Sequence, residues 1–107
     1  MISESIIEDL KKERARQELR HPEAPAILLH KSNDPAREQI KTSLAYIQAE
    51  NDAFEKRSEH SWYGIFYEEL KEIFSADTVD DLYKETVQAA SVLIRLAELV
   101  KDGDVEI

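Results

Sequence analysis

The chain has 107 residues and a formal net charge of −9, from 23 acidic and 14 basic side chains. It has no cysteine, which excludes disulfides, thiolate metal sites and cysteine nucleophiles. The acidic balance argues against binding of a nucleic acid polymer, and 2 Gly and 3 Pro are too few for a many-stranded sandwich or barrel. We therefore predict a single all-α domain over residues 1–107.

Neither a targeting segment nor a membrane segment is expected. The first twelve residues carry Glu4, Glu8 and Asp9 and lack the apolar core of a signal peptide. The longest purely apolar run covers residues 26–29, far below the roughly 18 residues that a spanning helix needs. We expect a cytoplasmic protein that does not contact membranes.

The first helix is predicted over residues 3–20, where apolar residues recur at helical spacing. Its N-cap is either Ser3 or Ser5, and Ser5 would form a capping box with Glu8. It ends before Pro22, because the residue preceding a proline is pushed out of the α region.

An irregular stretch over 21–33 separates the first two helices, and its apolar residues 26–29 are expected to pack as a turn or short helix. The second helix is predicted over 34–56, with Asp34 as its N-cap and Pro35 in its first turn. Its apolar stripe consists of Ala36, Ile40, Leu44, Ile47 and Phe54, and Asn51 falls on the same stripe.

The third and fourth helices are predicted over 61–75 and 78–101. Asp80 and Asp81 give the fourth helix an acidic first turn, which suits the positive end of the helix dipole. Gly103 lies just past its end, where glycine commonly terminates helices.

Carboxylates fall on the apolar faces of these two helices. At about 100° per residue, Glu69 lies in the middle of the third helix's stripe, with Glu72 about 60° and Glu68 about 100° to one side. On the fourth helix, Glu85 falls inside the stripe and Gln88 at its edge. The two stripes consist of Trp62, Ile65, Phe66 and Ile73, and of Leu82, Thr86, Ala89, Leu93, Leu96 and Val100.

These acids predict a site for a hard cation. Burying an unpaired carboxylate costs several kcal/mol, and no Lys or Arg shares either stripe at that level. Convergent carboxylates without a basic partner suit Mg²⁺, which prefers oxygen ligands. The alternative is that each acid lies at the edge of its stripe and reaches solvent.

The spacing of the acids resembles a known enzyme family. Residues 68–72 read E-E-x-x-E and residues 85–88 read E-x-x-Q, with twelve residues between Glu72 and Glu85. This resembles the MazG-like all-α nucleoside triphosphate pyrophosphohydrolases, whose pattern is E-x-x-E on one helix and E-x-x-D on the next. The E-R-x-R-Q of residues 13–17 is similar to an N-terminal element of one subgroup.

The resemblance implies a four-helix-bundle-like fold that is completed by oligomerisation into a homodimer or homotetramer. It implies hydrolysis of a (deoxy)nucleoside triphosphate to a nucleoside monophosphate and pyrophosphate, with Mg²⁺ as cofactor and Mn²⁺ as a substitute. Its metal ligands would be Glu69, Glu72, Glu85 and Gln88, although Gln88 stands where the family has Asp. Glu68, beside Glu69, would be a further ligand or the base that positions water.

Basic and polar residues outside the motif are candidates for substrate binding. They are Arg14, Arg16, Gln17, Lys56, Arg57 and His60. The alternative for the three residues of the first helix is a solvated helix face, and for His60 it is a solvated residue or a helix cap. Lys56 and Arg57 are candidates by their charge alone. A second class of function also stays open, in which the chain is a non-catalytic acidic interaction protein that mimics nucleic acid or binds a partner protein.

Overall fold

The structure is a computed structural model that describes residues 2–20, 23 and 34–107. The regular secondary structure of the described residues is all helical, with no strand, which confirms the all-α prediction. The helices are α1 (Glu4–Arg20), α2 (Asp34–Lys56), α3 (Trp62–Phe74) and α4 (Val79–Lys101). The expected packing of residues 26–29 lies outside the described residues, as do the expected side-chain roles of Asp34 and Pro35.

Three helices begin one residue later than predicted, because the residue at the predicted start is the N-cap. Ser3 Oγ accepts a hydrogen bond from the Ile6 amide at 3.3 Å, which decides between the two candidate caps of α1. Ser61 Oγ accepts one from the Gly64 amide at 3.2 Å. Before α4, Thr78 Oγ1 accepts one from the third residue after it at 3.1 Å.

Two helices end in the same left-handed turn. After α4, Gly103 has φ 76°, and the Asp104 amide donates to the Leu99 carbonyl at 2.9 Å, as predicted for a glycine terminator. After α2, Ser58 takes that position with φ 57°, and the next amide donates to the Phe54 carbonyl at 2.8 Å. The end of α2 therefore carries a conformation that costs a non-glycine residue about 1 kcal/mol.

The chain divides into two compact units, Met1–Ile27 with Ile94–Ile107, and Leu28–Leu93. In the first unit, Ile6 is buried, and Lys101 Nζ donates to Ser5 Oγ at 2.6 Å. Among the described residues, no helix has the length and apolar character that crossing a membrane requires.

In the second unit, α2 packs against α3. The α2 stripe predicted from the sequence is half-buried at Ile40, Leu44, Ile47, Asn51 and Phe54. In the same unit, the part of α4 up to Leu93 contributes the buried Ala89. This unit contains every carboxylate of the predicted metal site.

Candidate metal centre

Three carboxylates converge in the second unit. Glu69 and Glu72 come from α3 and Glu85 from α4, and one oxygen of each lies within 4.8 Å of the other two. Oxygens on one octahedral Mg²⁺ ion are about 3.0 Å apart when adjacent and about 4.2 Å apart when opposite, so the three side chains would have to move closer together to share one ion. The i, i+3 spacing places the α3 pair on one face of the helix, as predicted.

Two oxygens of this trio are buried without a partner. Glu69 Oε2 and Glu85 Oε2 accept no hydrogen bond from the part of the chain that the structure describes. Leaving a buried acceptor unsatisfied costs about 1–3 kcal/mol, and more when the acceptor is charged. A divalent cation between the two helices would satisfy both oxygens, so the donor set fits such an ion.

The same crowding raises the pKa values of two of these acids. Burial raises the pKa of Glu69, and the negative charges of Glu85 and Glu68 raise it further. For Glu72, burial, hydrogen bonding with Glu85 and the charge of Glu69 raise the pKa to about 8. Without a cation, the trio therefore retains a proton near neutral pH.

Glu68 lies beside the trio and is held from α2. Its Oε1 accepts a hydrogen bond from Asn51 Nδ2 at 3.0 Å. The same nitrogen donates to the Gly64 carbonyl, also at 3.0 Å. The sequence marked Asn51 only as a polar residue on an apolar stripe, and that irregularity was the available signal for its role.

A cleft of about 520 Å³ opens beside Glu72 and Glu85. Clefts of 300–1,000 Å³ are typical of small-molecule sites. Gln88 is exposed and lines this cleft together with the two acids, and its role as a metal ligand stays a prediction. Lys84 and Gln48 also line the cleft, although no motif or spacing in the sequence distinguishes either residue.

Two basic candidates for substrate binding lie away from that cleft. Lys56 is exposed at the end of α2 and lines a separate pocket with Asp52 and Glu55. His60 is exposed in the turn before α3 and does not line the cleft.

A third candidate, Arg57, has partners of its own. Its Nε lies 3.5 Å from Glu59 Oε2. Its guanidinium also stands 5.0 Å from the centre of the Phe54 ring. These contacts favour a local structural role for Arg57.

The candidates on α1 belong to the first unit and are exposed. Arg14 Nε pairs with Glu18 Oε1 at 3.2 Å, and Arg16 pairs with Glu13. These i, i+3 and i, i+4 ion pairs are typical of a solvated helix face. A contact of Arg14 or Gln17 with substrate stays a prediction.

Comparison with protein-family models, with curated proteins and with solved structures finds no match for this chain. The MazG-like resemblance therefore rests on the motif residues alone.

Proposed function

We propose that the protein is a Mg²⁺-dependent nucleoside triphosphate pyrophosphohydrolase, which converts a (deoxy)nucleoside triphosphate to the monophosphate and pyrophosphate. The observation that carries the proposal is the trio of Glu69, Glu72 and Glu85, with two buried oxygens that have no partner among the described residues. The E-E-x-x-E and E-x-x-Q motifs supply the reaction class through the family that they resemble.

The position of each residue suggests its role in the proposed reaction. Glu69, Glu72 and Glu85 would hold Mg²⁺, and the Gln88 amide oxygen offers a further, neutral ligand at the edge of the cleft. When bound, such a cation neutralises phosphate charge and lowers the pKa of bound water. Gln88 supplies one negative charge fewer than an Asp, so a second ion would bind more weakly.

The alternative, an acidic mimic of nucleic acid, is less well supported. A mimic must present ionised acids on an exposed surface, so that a basic partner can read them. The trio is half-buried, and the pKa of Glu72 is raised to about 8, so the trio carries less than its full charge at neutral pH.

We also propose that the chain functions as a homodimer or homotetramer. Of the residues that the structure describes, only Ile6 and Ala89 are buried apolar side chains. On α4, Val79, Tyr83 and Val87 follow each other at i, i+4 spacing, and 81%, 74% and 49% of their surfaces are exposed. A Tyr83→Glu variant should shift the chain to monomer in analytical ultracentrifugation.

Product analysis tests the proposed reaction. A panel of (d)NTPs with Mg²⁺ should release pyrophosphate, and chelation with EDTA should stop the release. An α,β-methylene analogue of the preferred substrate should resist cleavage, whereas its β,γ-methylene analogue should still yield the monophosphate. Release of orthophosphate without pyrophosphate would contradict the proposal.

Variants link that activity to the trio. Glu69→Gln and Glu85→Gln keep the size of each side chain and remove one negative charge, so each should abolish hydrolysis. Glu38→Gln removes one charge from an exposed position of α2 and is the matched control. Full activity in both trio variants would exclude this mechanism.

A further inference from the structure

Asn51 occupies an unusual position on α2. It shares the half-buried stripe with Ile47 and Phe54, where an apolar residue would pack without needing a partner. Its amide nitrogen instead donates to Glu68 Oε1 and to the Gly64 carbonyl, each at 3.0 Å. A carbonyl can only accept, so the orientation of the amide group is determined by these contacts.

Gly64 leaves the space that this amide occupies. A Cβ atom at Gly64 would lie 2.6 Å from Asn51 Oδ1, whereas its next contacts, with Asn51 Cγ and Ser61 Oγ, would be an ordinary 3.5 Å. Glycine inside a helix is less favourable than alanine. A side chain at position 64 would therefore have to displace the hydrogen-bonded amide of Asn51.

The two hydrogen bonds act on an acid beside the metal trio. Glu68 directly precedes Glu69 in the chain; its charge raises the pKa of Glu69, and its side chain hydrogen bonds with Glu72. Repulsion between neighbouring carboxylates favours turning Glu68 outward into water. A neutral double donor such as Asn51 opposes that rotation, whereas an Asp would add to the repulsion and a Leu would leave Glu68 unrestrained.

We propose that Asn51, in the space left by Gly64, is a positioning residue that holds the Glu68 carboxylate beside the Glu69–Glu72–Glu85 trio, where it orients the attacking water. The positioning itself is independent of the reaction catalysed. Only the role of Glu68 toward water rests on the proposed pyrophosphohydrolase function.

A stability cycle tests the geometry without any assay of activity. Gly64→Ala alone should lower the melting temperature by several degrees, because the new methyl group meets the hydrogen-bonded amide. In the Asn51→Ala background the amide is absent, so the same Gly64→Ala change should raise the melting temperature, as alanine normally does inside a helix. Equal shifts in the two backgrounds would overturn the proposed packing.

A kinetic cycle tests whether Asn51 acts through Glu68. Asn51→Ala should lower kcat of the best-hydrolysed (d)NTP about 10- to 100-fold with KM changed less than threefold, and Asn51→Asp should lower kcat further. Adding Asn51→Ala to Glu68→Gln should have no further effect. If the losses in kcat of the two single variants multiply in the double variant, Asn51 does not act through Glu68. Asp52→Asn, on the exposed neighbour, is the matched control and should retain wild-type kcat.

Mn²⁺ binding separates failure of this inference from failure of the proposed function. Asn51→Ala and Glu68→Gln change groups outside the assigned ligand trio and should each raise the Mn²⁺ dissociation constant by no more than about 10-fold, whereas Glu72→Gln removes a ligand and should raise it by more than about 100-fold. If the wild-type protein hydrolyses no (d)NTP, the proposed function fails, and the stability cycle still decides the positioning. A large loss of Mn²⁺ affinity in Asn51→Ala would overturn the assigned role.

Discussion

Two acidic sites in the second unit, Asp77 and the Glu69–Glu72–Glu85 trio, have opposite surroundings, although Glu72 and Asp77 are only five residues apart in the chain. Asp77 Oδ1 lies 2.7 Å from Lys41 Nζ and 3.7 Å from Arg37 Nη1. The hydrogen bond from Lys41 and its charge lower the pKa of Asp77 below the usual value. For Glu72, burial and neighbouring carboxylates raise the pKa to about 8.

The difference separates a structural acid from a ligand-binding one. Both cations near Asp77 come from α2, and Arg37 also donates to the Ala76 carbonyl at 3.1 Å, so the protein itself neutralises this acid. The trio instead places carboxylate against carboxylate. At the trio, a cation from solution or a proton would supply the positive charge that Lys41 supplies at Asp77.

The largest expected effect is on divalent-ion binding. Glu85→Gln should lower the affinity for Mg²⁺ by more than about 100-fold, because it removes a charged ligand, whereas loss of a group that only supports a ligand costs about 10- to 100-fold. Asp77→Asn should leave the affinity within about twofold of wild type, since Lys41 and Arg37 already compensate that charge. Isothermal titration calorimetry measures both. Comparable losses of Mg²⁺ affinity in the two variants would show that the trio and Asp77 do not differ in this way.

The pH dependence of stability should be the next largest effect. Because the pKa of Glu72 is raised in the folded state to about 8 from an ordinary 4.5, the folded protein binds this proton more tightly than the unfolded chain. That contribution is fully present below about pH 4.5 and is lost as the pH rises toward 8. Thermal melts in EDTA should therefore show falling stability from pH 5 to pH 8.

Saturating Mg²⁺ should remove this trend. At a fixed concentration of 100 times its dissociation constant at pH 8, a ligand that binds only the folded state adds about 2.7 kcal/mol to the free energy of unfolding at that pH. The gain should be larger at pH 8 than at pH 5, because the ion needs the deprotonated carboxylates. Equal gains at both pH values would argue against binding at the trio.

A smaller effect is expected from neutralising Glu72 itself. Without metal at pH 8, Glu72→Gln should raise the melting temperature by about 3 °C, since the amide relieves repulsion within the trio. At pH 5 the variant and wild type should melt together, because Glu72 is then protonated. Asp80→Asn, in the exposed first turn of α4, is the control and should show no such dependence on pH. A lower melting temperature for Glu72→Gln at pH 8 would contradict the assigned crowding.

The smallest effect should come from Asp77. Its pKa is lowered from 3.8, so its pairs stabilise the fold above that value and are lost as the pH falls through the folded-state pKa. Asp77 is exposed, so water screens its pairs and Asp77→Asn should shift the melting temperature at pH 7 by less than Glu72→Gln does at pH 8. The sign of the pH trend should also be opposite to that of Glu72. The wild-type protein could instead become more stable as the pH falls below 4. If Asp77→Asn removed that gain, the predicted sign for Asp77 would be wrong.

Helix positions were predictable because their signals are local. Apolar spacing marked all four helices, and Ser3, Ser61 and Thr78 stood at three of the starts. Ser58 gave no comparable signal. A serine in the left-handed conformation is disfavoured by itself, and only its surroundings after α2 account for it.

The site was predictable in part. Helical periodicity indicated that Glu69 and Glu72 share a face with apolar residues, and the structure brings them to Glu85. The prediction that Lys56 and His60 bind substrate rests on their charge and their position in the chain alone, and neither residue lines the cleft. Charge along a sequence carries no information on which cleft a long side chain lines.

Local sequence patterns were enough to predict the helical class, the ends of most helices and the acids that lie on apolar faces, because each depends on residues within one or two turns. Three features follow only from the packing of the helices: Asn51 donates to Glu68, Gly64 makes room for it, and Lys41 pairs with Asp77 whereas carboxylates surround Glu72. Those outcomes depend on how α2, α3 and α4 align within the second unit. That alignment brings together side chains far apart in the chain, which helical periodicity does not encode.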